Sequence, residues 1–450
     1  MGLVTCIVAG LLLAPLAAAA QHEGHAQPRE SGAPEAAAPR GAMAMAAAPL
    51  DVPPSREGSG TSWLPDSSPM FMLAWQSGPW ELDAMWNVFV QYVDDGGSRG
   101  ERQLGSVNWA MGMARRPIGA GQLRGRAMLS LEPLTLGRCG YPDLLATGEL
   151  CRGVPLHDRQ HPHDTFMELS AGYAYPIANT VALDLYAALS GEPALGPVAF
   201  PHRTSAMPSP IAPMTHHWLD STHISFGVLT AGVYGRRWKA EGSVFNGREP
   251  DEHRYDLDLA PLDSFAGRIW FLPDPHWSLQ ASAGFLREAE SGVGGSPRTD
   301  VTRTTASATH HRAIDDRGMW ATTVAWGRNA EHGQGTNAVL IESVVDPDER
   351  NVLFARVEAA QKTAEALVIS GGGGEKSWVA KAALTYVRQI PIALGSGRQL
   401  LLGLGAGMSL NAVPSSFESA YGTRWPVGFS VFLSARPGPM AMGTGMQHSR

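Results

Sequence analysis

The chain has 450 residues, 44% of them hydrophobic and only 17% charged, with a net charge of −7. Its charge content lies below the roughly 25% of average soluble domains, and its aromatic content is too high for a disordered chain. No basic block stands out, and lysine is confined to Lys239, Lys362, Lys376 and Lys381, which excludes a nucleic-acid binder.

Cys6–Ala20 is an apolar run too short to span a membrane as a helix, and it ends in Ala17–Ala20 before Gln21. Residues 1–20 read as a secretory signal peptide, although a basic n-region is lacking. An exported chain meets an oxidising compartment. The two later cysteines, Cys139 and Cys151, are then expected to pair locally, stabilising the fold by roughly 2–3 kcal/mol; two free thiols are the alternative. Residues 21–60 are Ala/Pro/Gly-rich without apolar periodicity and are expected to be a disordered tether. No later stretch reaches the ~18 consecutive apolar residues of a transmembrane helix.

From Trp80 onward the pattern alternates with period two. Leu82, Ala84, Trp86, Val88, Val90 and Tyr92 share one face of a strand and Asp83, Asn87 and Gln91 the other. The same alternation recurs near Val107–Met113, Met167–Tyr175, Val181–Leu189, Ile224–Val228 and Leu400–Met408, where Gly403, Gly405 and Gly407 oppose the leucines. Strands are predicted over 80–92, 102–114, 121–132, 165–176, 179–190, 222–234, 236–246, 263–272, 276–287, 301–313, 317–328, 335–345, 350–361, 376–388, 398–411 and 425–434. Short turns then follow the even strands and long connections, most of them rich in Gly, Pro and charge, follow the odd ones, the plan of an outer-membrane barrel. The fold class is therefore all-β: an antiparallel transmembrane β-barrel of about sixteen strands, within a range of fourteen to eighteen because Met70–Gln76 can add a short one. The barrel is expected over 61–435 and a flexible Met-containing tail over 436–450. Tryptophans near strand ends (Trp80, Trp238, Trp277, Trp320, Trp378, Trp425) fit an aromatic girdle, with ordinary strand propensity as the plainer account of some of them. The chain continues to Arg450 rather than ending on Phe432, which departs from the terminal aromatic that outer-membrane strands commonly use in assembly.

Two loops concentrate candidate chemistry. HDRQHPHD supplies His157, His161, His163 and Asp164; MPSPIAPMTHHWLDSTH supplies Met207, Met214, His216, His217 and His223. Imidazole and thioether are good ligands for copper and related borderline or soft metals. A Cu or Zn site made of His161, His163, His216, His217 and His223 is expected where the two loops meet; the plain alternative is histidines bonded to nearby carboxylates and carbonyls. His253 and the pair His310–His311 are weaker candidates. His22, His25, Met43, Met45, Met440, Met442, Met446 and His448 place the same ligand types at the ends, where compositional drift explains them equally well. Catalysis has little support: no GxSxG, HExxH or phosphate loop is present, and the facing pairs His223/Ser225 and His276/Ser278 arise readily by chance. Inward charges (Glu168, Asp184, Lys239, Glu241, Arg268, Arg356, Glu358, Lys381) read as a channel lining or as pairs bracing a closed lumen.

The strings SGTSWLPDSSPM (59–70), DRQHPHD (158–164), GEPALGPVAFPHR (191–203), THHWLDSTHISFGV (215–228), FNGREPDEHRYD (245–256) and TVAWGRN (323–329) resemble a family of uncharacterised bacterial outer-membrane proteins, often encoded beside copper and heavy-metal efflux systems. The resemblance covers nearly all of the chain after Gly60. It implies an outer-membrane location and metal handling, with neither an established substrate nor proven ligands. A porin-like channel linked to copper or heavy metals is the reading expected from it, with an outer-membrane lipid hydrolase or a plugged structural barrel as alternatives. Expected partners are outer-membrane lipid, the outer-membrane assembly machinery, and metal ions or small solutes.

Overall fold

A computed structural model describes residues 45–440, apart from 291–297, 316, 332, 371–373 and 396. The expected signal segment, most of the tether and the tail beyond Met440 lie outside the described residues. Among the described residues nineteen strands form: β1 Leu73–Ser77, β2 Trp80–Asp95, β3 Arg102–Ile118, β4 Gly121–Leu129, β5 Tyr141–Cys151, β6 Val154–Gln160, β7 Phe166–Ala178, β8 Val181–Gly191, β9 Ser225–Tyr234, β10 Trp238–Phe245, β11 Ser264–Phe271, β12 Trp277–Glu290, β13 Thr299–Ile314, β14 Gly318–Glu331, β15 Gln334–Asp346, β16 Asn351–Lys362, β17 Ser377–Gly395, β18 Arg398–Ala412 and β19 Val427–Pro437. Sixteen of them, β2–β4 and β7–β19, pair with their neighbours in antiparallel fashion, and β19 returns to β2 to close the ring. Closure leaves no free sheet edge, which is what hydrocarbon demands of a spanning sheet. The short β1 pairs with the lower end of β2, Leu73↔Ala84 to Ser77↔Trp80, while β19 pairs with its upper part, Gly428↔Asp95 to Ala435↔Val88.

The outer wall is apolar. On β19, Val427, Phe429, Val431 and Leu433 point out and are exposed while Gly428, Ser430 and Phe432 point in. On β11, Phe265, Ile269 and Phe271 point out and Arg268 and Trp270 point in. An exterior of this kind belongs in lipid, and the chain is an outer-membrane barrel. Trp80, Trp238, Trp277 and Trp320 begin strands at the short-turn end, and Trp378 and Trp425 lie at the long-loop end, giving two girdles. One connection breaks the expected alternation, since β14 and β15 are joined at the long-loop end by only residues 332–333. Cys139 and Cys151 form the expected disulfide.

The lumen differs from an open channel lining. A sixteen-stranded ring is wide enough for an aqueous channel, but three inserted segments occupy it. The first is residues 45–72, whose part up to Gly60 was expected to be disordered. Glu57 bonds Arg115 and Arg126, the Thr61 carbonyl accepts from Lys239, and the Trp63 carbonyl accepts from Ser278. The second is the hairpin β5–β6, which holds Leu144, Leu145 and Ala146 fully buried and pairs Asp143 with Lys381. The third is the β8–β9 connection, residues 192–224. It touches strands on both sides of the ring: Ala194 to Ser243 of β10, Gly196 to Ser282 of β12, Ser205 to Thr323 of β14, Arg203 to Glu342 of β15, Thr215 to Glu358 of β16, and, on the far wall, the Met207 carbonyl to Asn87 of β2. A segment that meets opposite walls lies inside.

The filled lumen explains why some strands carry apolar side chains on their inner face. Val107, Trp109, Met111 and Met113 of β3, and Phe226 and Val228 of β9, are buried and point inward, not to lipid. Period two separates the two faces of a strand without saying which one meets lipid, and here the inner face packs on a plug. The eight inward charges are all buried, and most close on opposite charges: Arg268 on Glu241 and Glu192, Lys239 on Asp184 and Glu241, Arg356 on Glu342. β19 also runs past the expected barrel end to Pro437, and the Met440 N–H bonds the Met70 carbonyl.

Candidate metal centre

Both histidine loops enter the barrel at its long-loop end, directly before β7 and β9. The segment 161–165 crosses from the β5–β6 hairpin to β7. His216 and His217 sit on a one-turn helix, His216–Leu219, and His223 on the 3₁₀ turn Ser221–His223 that leads into β9. The helix rests on β14: a Cβ added to Gly327 would lie 2.3 Å from the Trp218 carbonyl oxygen, so only glycine lets the two backbones approach. The same holds on the other side, where a Cβ at Gly148 of β5 would fall 2.2 Å from the His217 ring.

The five histidines expected from the sequence come together. His216 is central, its ring centroid 5.3 Å from that of His217, 5.2 Å from His223 and 6.1 Å from His161. His161 lies 5.6 Å from His217, and His163 lies 5.3 Å from His223. The Phe200 ring packs against His163, His216 and His223 and closes one side.

Each imidazole is oriented through Nδ1. His163 Nδ1 lies 2.9 Å from Glu132, His216 Nδ1 2.9 Å from Asp220 Oδ1, and His217 Nδ1 3.0 Å from Glu249. His223 Nδ1 lies 2.8 Å from the Asp220 carbonyl, and His161 Nδ1 lies 3.3 Å from the Pro162 carbonyl, with Glu149 also at 3.3 Å. The opposite nitrogen, Nε2, of His161, His163, His217 and His223 is buried without a hydrogen-bond partner. A carboxylate or carbonyl on Nδ1 fixes the tautomer that leaves the Nε2 lone pair available, the arrangement that supports metal-bound histidine. Buried polar atoms are ordinarily satisfied, so four orphaned nitrogens in one cluster need an explanation.

Burial pushes His216 and His217 down to about 4 and holds His161 and His223 well below the usual histidine range. These four rings are neutral at pH 7, as ligands must be. Burial also opposes the charge on His163, but Glu132 outweighs it and raises this ring. The carboxylates Glu149 and Glu249 are pushed up by burial to about 7. The nitrogens stand further apart than a coordinated set. Among the described residues, the group of three whose ligand atoms all lie within 4.8 Å of one another is Asp251, Asp256 and Asp258, in an exposed loop. The imidazoles must therefore swing inward to share one ion.

Other sequence candidates fall elsewhere. Met207 and Met214 pack in separate apolar clusters, His253 is exposed beside Asp251, and His310 lies between the rings of Trp277 and Trp320, tilted to one and edge-on to the other, at the short-turn end. Neither Ser–His pair forms, for Ser225 donates to the Thr222 carbonyl and Ser278 to that of Trp63. The orienting groups Glu132, Glu149, Asp220 and Glu249 were not expected. Only Asp220 had a local signal, since it stands four residues after His216 and so on one helical face.

No family model and no curated protein matches the chain. Among solved structures it is similar to the anion-selective porin from Comamonas acidovorans, with a TM-score of 0.47 and 10% identity over 80% of this chain and 99% of that one. It is similar also to a loop L8 deletion mutant of OmpT from Vibrio cholerae, with a TM-score of 0.45 and 10% identity over 80% and 99%. OmpF of Salmonella typhi, solved with daunomycin, gives a TM-score of 0.45 and 10% identity over 81% and 100%. Likeness at this level carries no argument about function, and the barrel assignment rests on the closed strand ladder.

Proposed function

We propose that this barrel handles a borderline transition-metal ion, Cu(II) or Zn(II), which it captures at the histidine centre near its outer mouth. The observation that carries the reading is the set of buried, unpartnered Nε2 atoms on rings held through Nδ1. The carboxylates around the rings add to the attraction for a cation. Because the centre is built on the segment that fills the lumen, ion capture and plug position are coupled, and a shift of the plug is the route by which an ion passes. The family resemblance, with its copper and heavy-metal setting, agrees with this reading. A plugged structural barrel without transport is the second reading, favoured by the ion pairs that tie the plug to the wall.

Proteoliposomes enclosing a zinc-sensitive dye test it. Zn(II) enters vesicles carrying the full-length protein faster than vesicles carrying a variant with alanine at all five histidines, while sodium leakage is equal in both. Equal zinc entry in the two preparations overturns the transport reading.

A further inference from the structure

The inner wall beside the histidine centre carries an unusual concentration of sulfur. Of the 17 methionines in the chain, nine meet in a single cluster: six are buried, and Met45, Met85 and Met440 pack against them. Three of the nine stand in cross-strand register on adjacent strands, with Met85 of β2 opposite Met111 of β3, and Met111 opposite Met128 of β4. Residues directly opposite in an antiparallel pair have Cβ atoms about 4.5–5.5 Å apart. Unbranched thioether chains at that spacing bring their sulfurs within reach of one ion.

Methionine is also a filler of irregular cores, but two observations go beyond filling. First, a buried imidazole is aimed into the cluster: His202 Nε2 has the Met128 sulfur as its partner, at 3.4 Å, and its ring lies 5.0 Å from that of Trp109. A buried ring nitrogen that faces a thioether, where an oxygen partner is the norm, is a weakly satisfied donor or acceptor. Second, the cluster adjoins the histidine centre along two continuous stretches of chain, His163 to Met167 and His223 to Phe226. Ligand chemistry therefore changes along the lumen, from imidazole near the long-loop end to thioether beyond it. Soft thioether ligands select soft monovalent cations over zinc.

We propose that Met85, Met111 and Met128, with His202, form a second metal site that binds a soft monovalent cation, Cu(I) or Ag(I). The site is distinct from the histidine centre and does not depend on it. No electron transfer is involved; the ion arrives and leaves as the monovalent cation.

Silver nitrate is the probe, in chloride-free buffer, added to the full-length protein in detergent micelles with its methionine methyl groups ¹³C-labelled. One equivalent of Ag(I) shifts the methyl resonances of Met85, Met111 and Met128, and leaves that of the lipid-facing Met408 in place. In M111L/M128L, which conserves volume and fold, the site loses two of its three thioethers and one-equivalent silver binding is lost, while Zn(II) binding at the histidines is unchanged. Alanine at the five histidines has the converse effect, removing zinc and sparing silver. Silver affinity unaltered in M111L/M128L, or methyl shifts that miss these three residues in the wild-type protein, overturns the proposal whatever the histidine centre does.

Discussion

The Asp220 carboxylate joins His216, Arg203 and the Phe200 N–H at once. Its Oδ1 holds His216, and its Oδ2 accepts from the Arg203 guanidinium at 2.8 Å, which also donates to Glu342 of the wall at 2.6 Å. Fully buried Arg203 thus links a histidine of the centre to the barrel, and removing one member of such a set leaves an uncompensated charge. Glu249 is a cleaner handle, because its described role is to hold His217. E249Q is expected to lower zinc affinity by about 10- to 100-fold with little change in thermal stability, as read by calorimetric titration and a melting curve. Glu57 sets an acid limit for the first inserted segment. Burial opposes its charge, but Arg115 and Arg126 outweigh burial and hold its carboxyl well below its ordinary value of 4.5. The unfolded chain therefore takes up this proton first on acidification. The stability that Glu57 contributes is present above pH 4.5 and is lost as the pH falls toward the folded value. In urea unfolding followed by tryptophan fluorescence, E57Q is expected to be less stable at pH 7 and to lose less on acidification than the wild type. An acid limb of equal steepness in both speaks against this assignment.

At the level of elements, the seating of the short helix His216–Leu219 on Gly327 decides where two of the histidines stand. G327V should push the helix off β14, expose the 192–224 segment to protease added from outside, and weaken zinc binding, with the barrel itself still heat-modifiable on a gel. All sixteen wall strands were legible because each carries period-two alternation over about ten residues, which is the weak but cumulative signal of a spanning strand. The hairpin β5–β6 was not legible. Its sequence, YPDLLATGELC, is interrupted by Pro142 and Gly148, and its buried Leu144 and Leu145 are adjacent, so no alternation marks it. Residues 45–60 were missed for a related reason. They form two 3₁₀ turns around prolines and are held by groups far along the chain: Arg115 and Arg126 donate to Glu57, and the main-chain carbonyl of Arg236 accepts from Arg56. The histidine set was legible as composition, while its grouping depends on two long connections folding back into the same end of the barrel.

For the molecule as a whole, size and filling explain each other. A ring of sixteen strands whose inner face carries Arg, Lys, Asp and Glu would be a wet channel if left empty. Here those charges are matched partly by one another across the wall and partly by the inserted segments, so the low charge content of the chain reflects a lipid-facing wall around a braced interior. This plug carries the histidine centre, and the thioether cluster lies between it and the wall. The proposed capture requires the five histidines to bind a metal ion through their Nε2 atoms. Zinc K-edge X-ray absorption on the full-length protein loaded with one equivalent of Zn(II) tests it most directly. The expected spectrum has nitrogen ligands with imidazole multiple scattering, which disappears in the variant with alanine at all five histidines. An all-oxygen shell, or a spectrum unchanged in that variant, would contradict it.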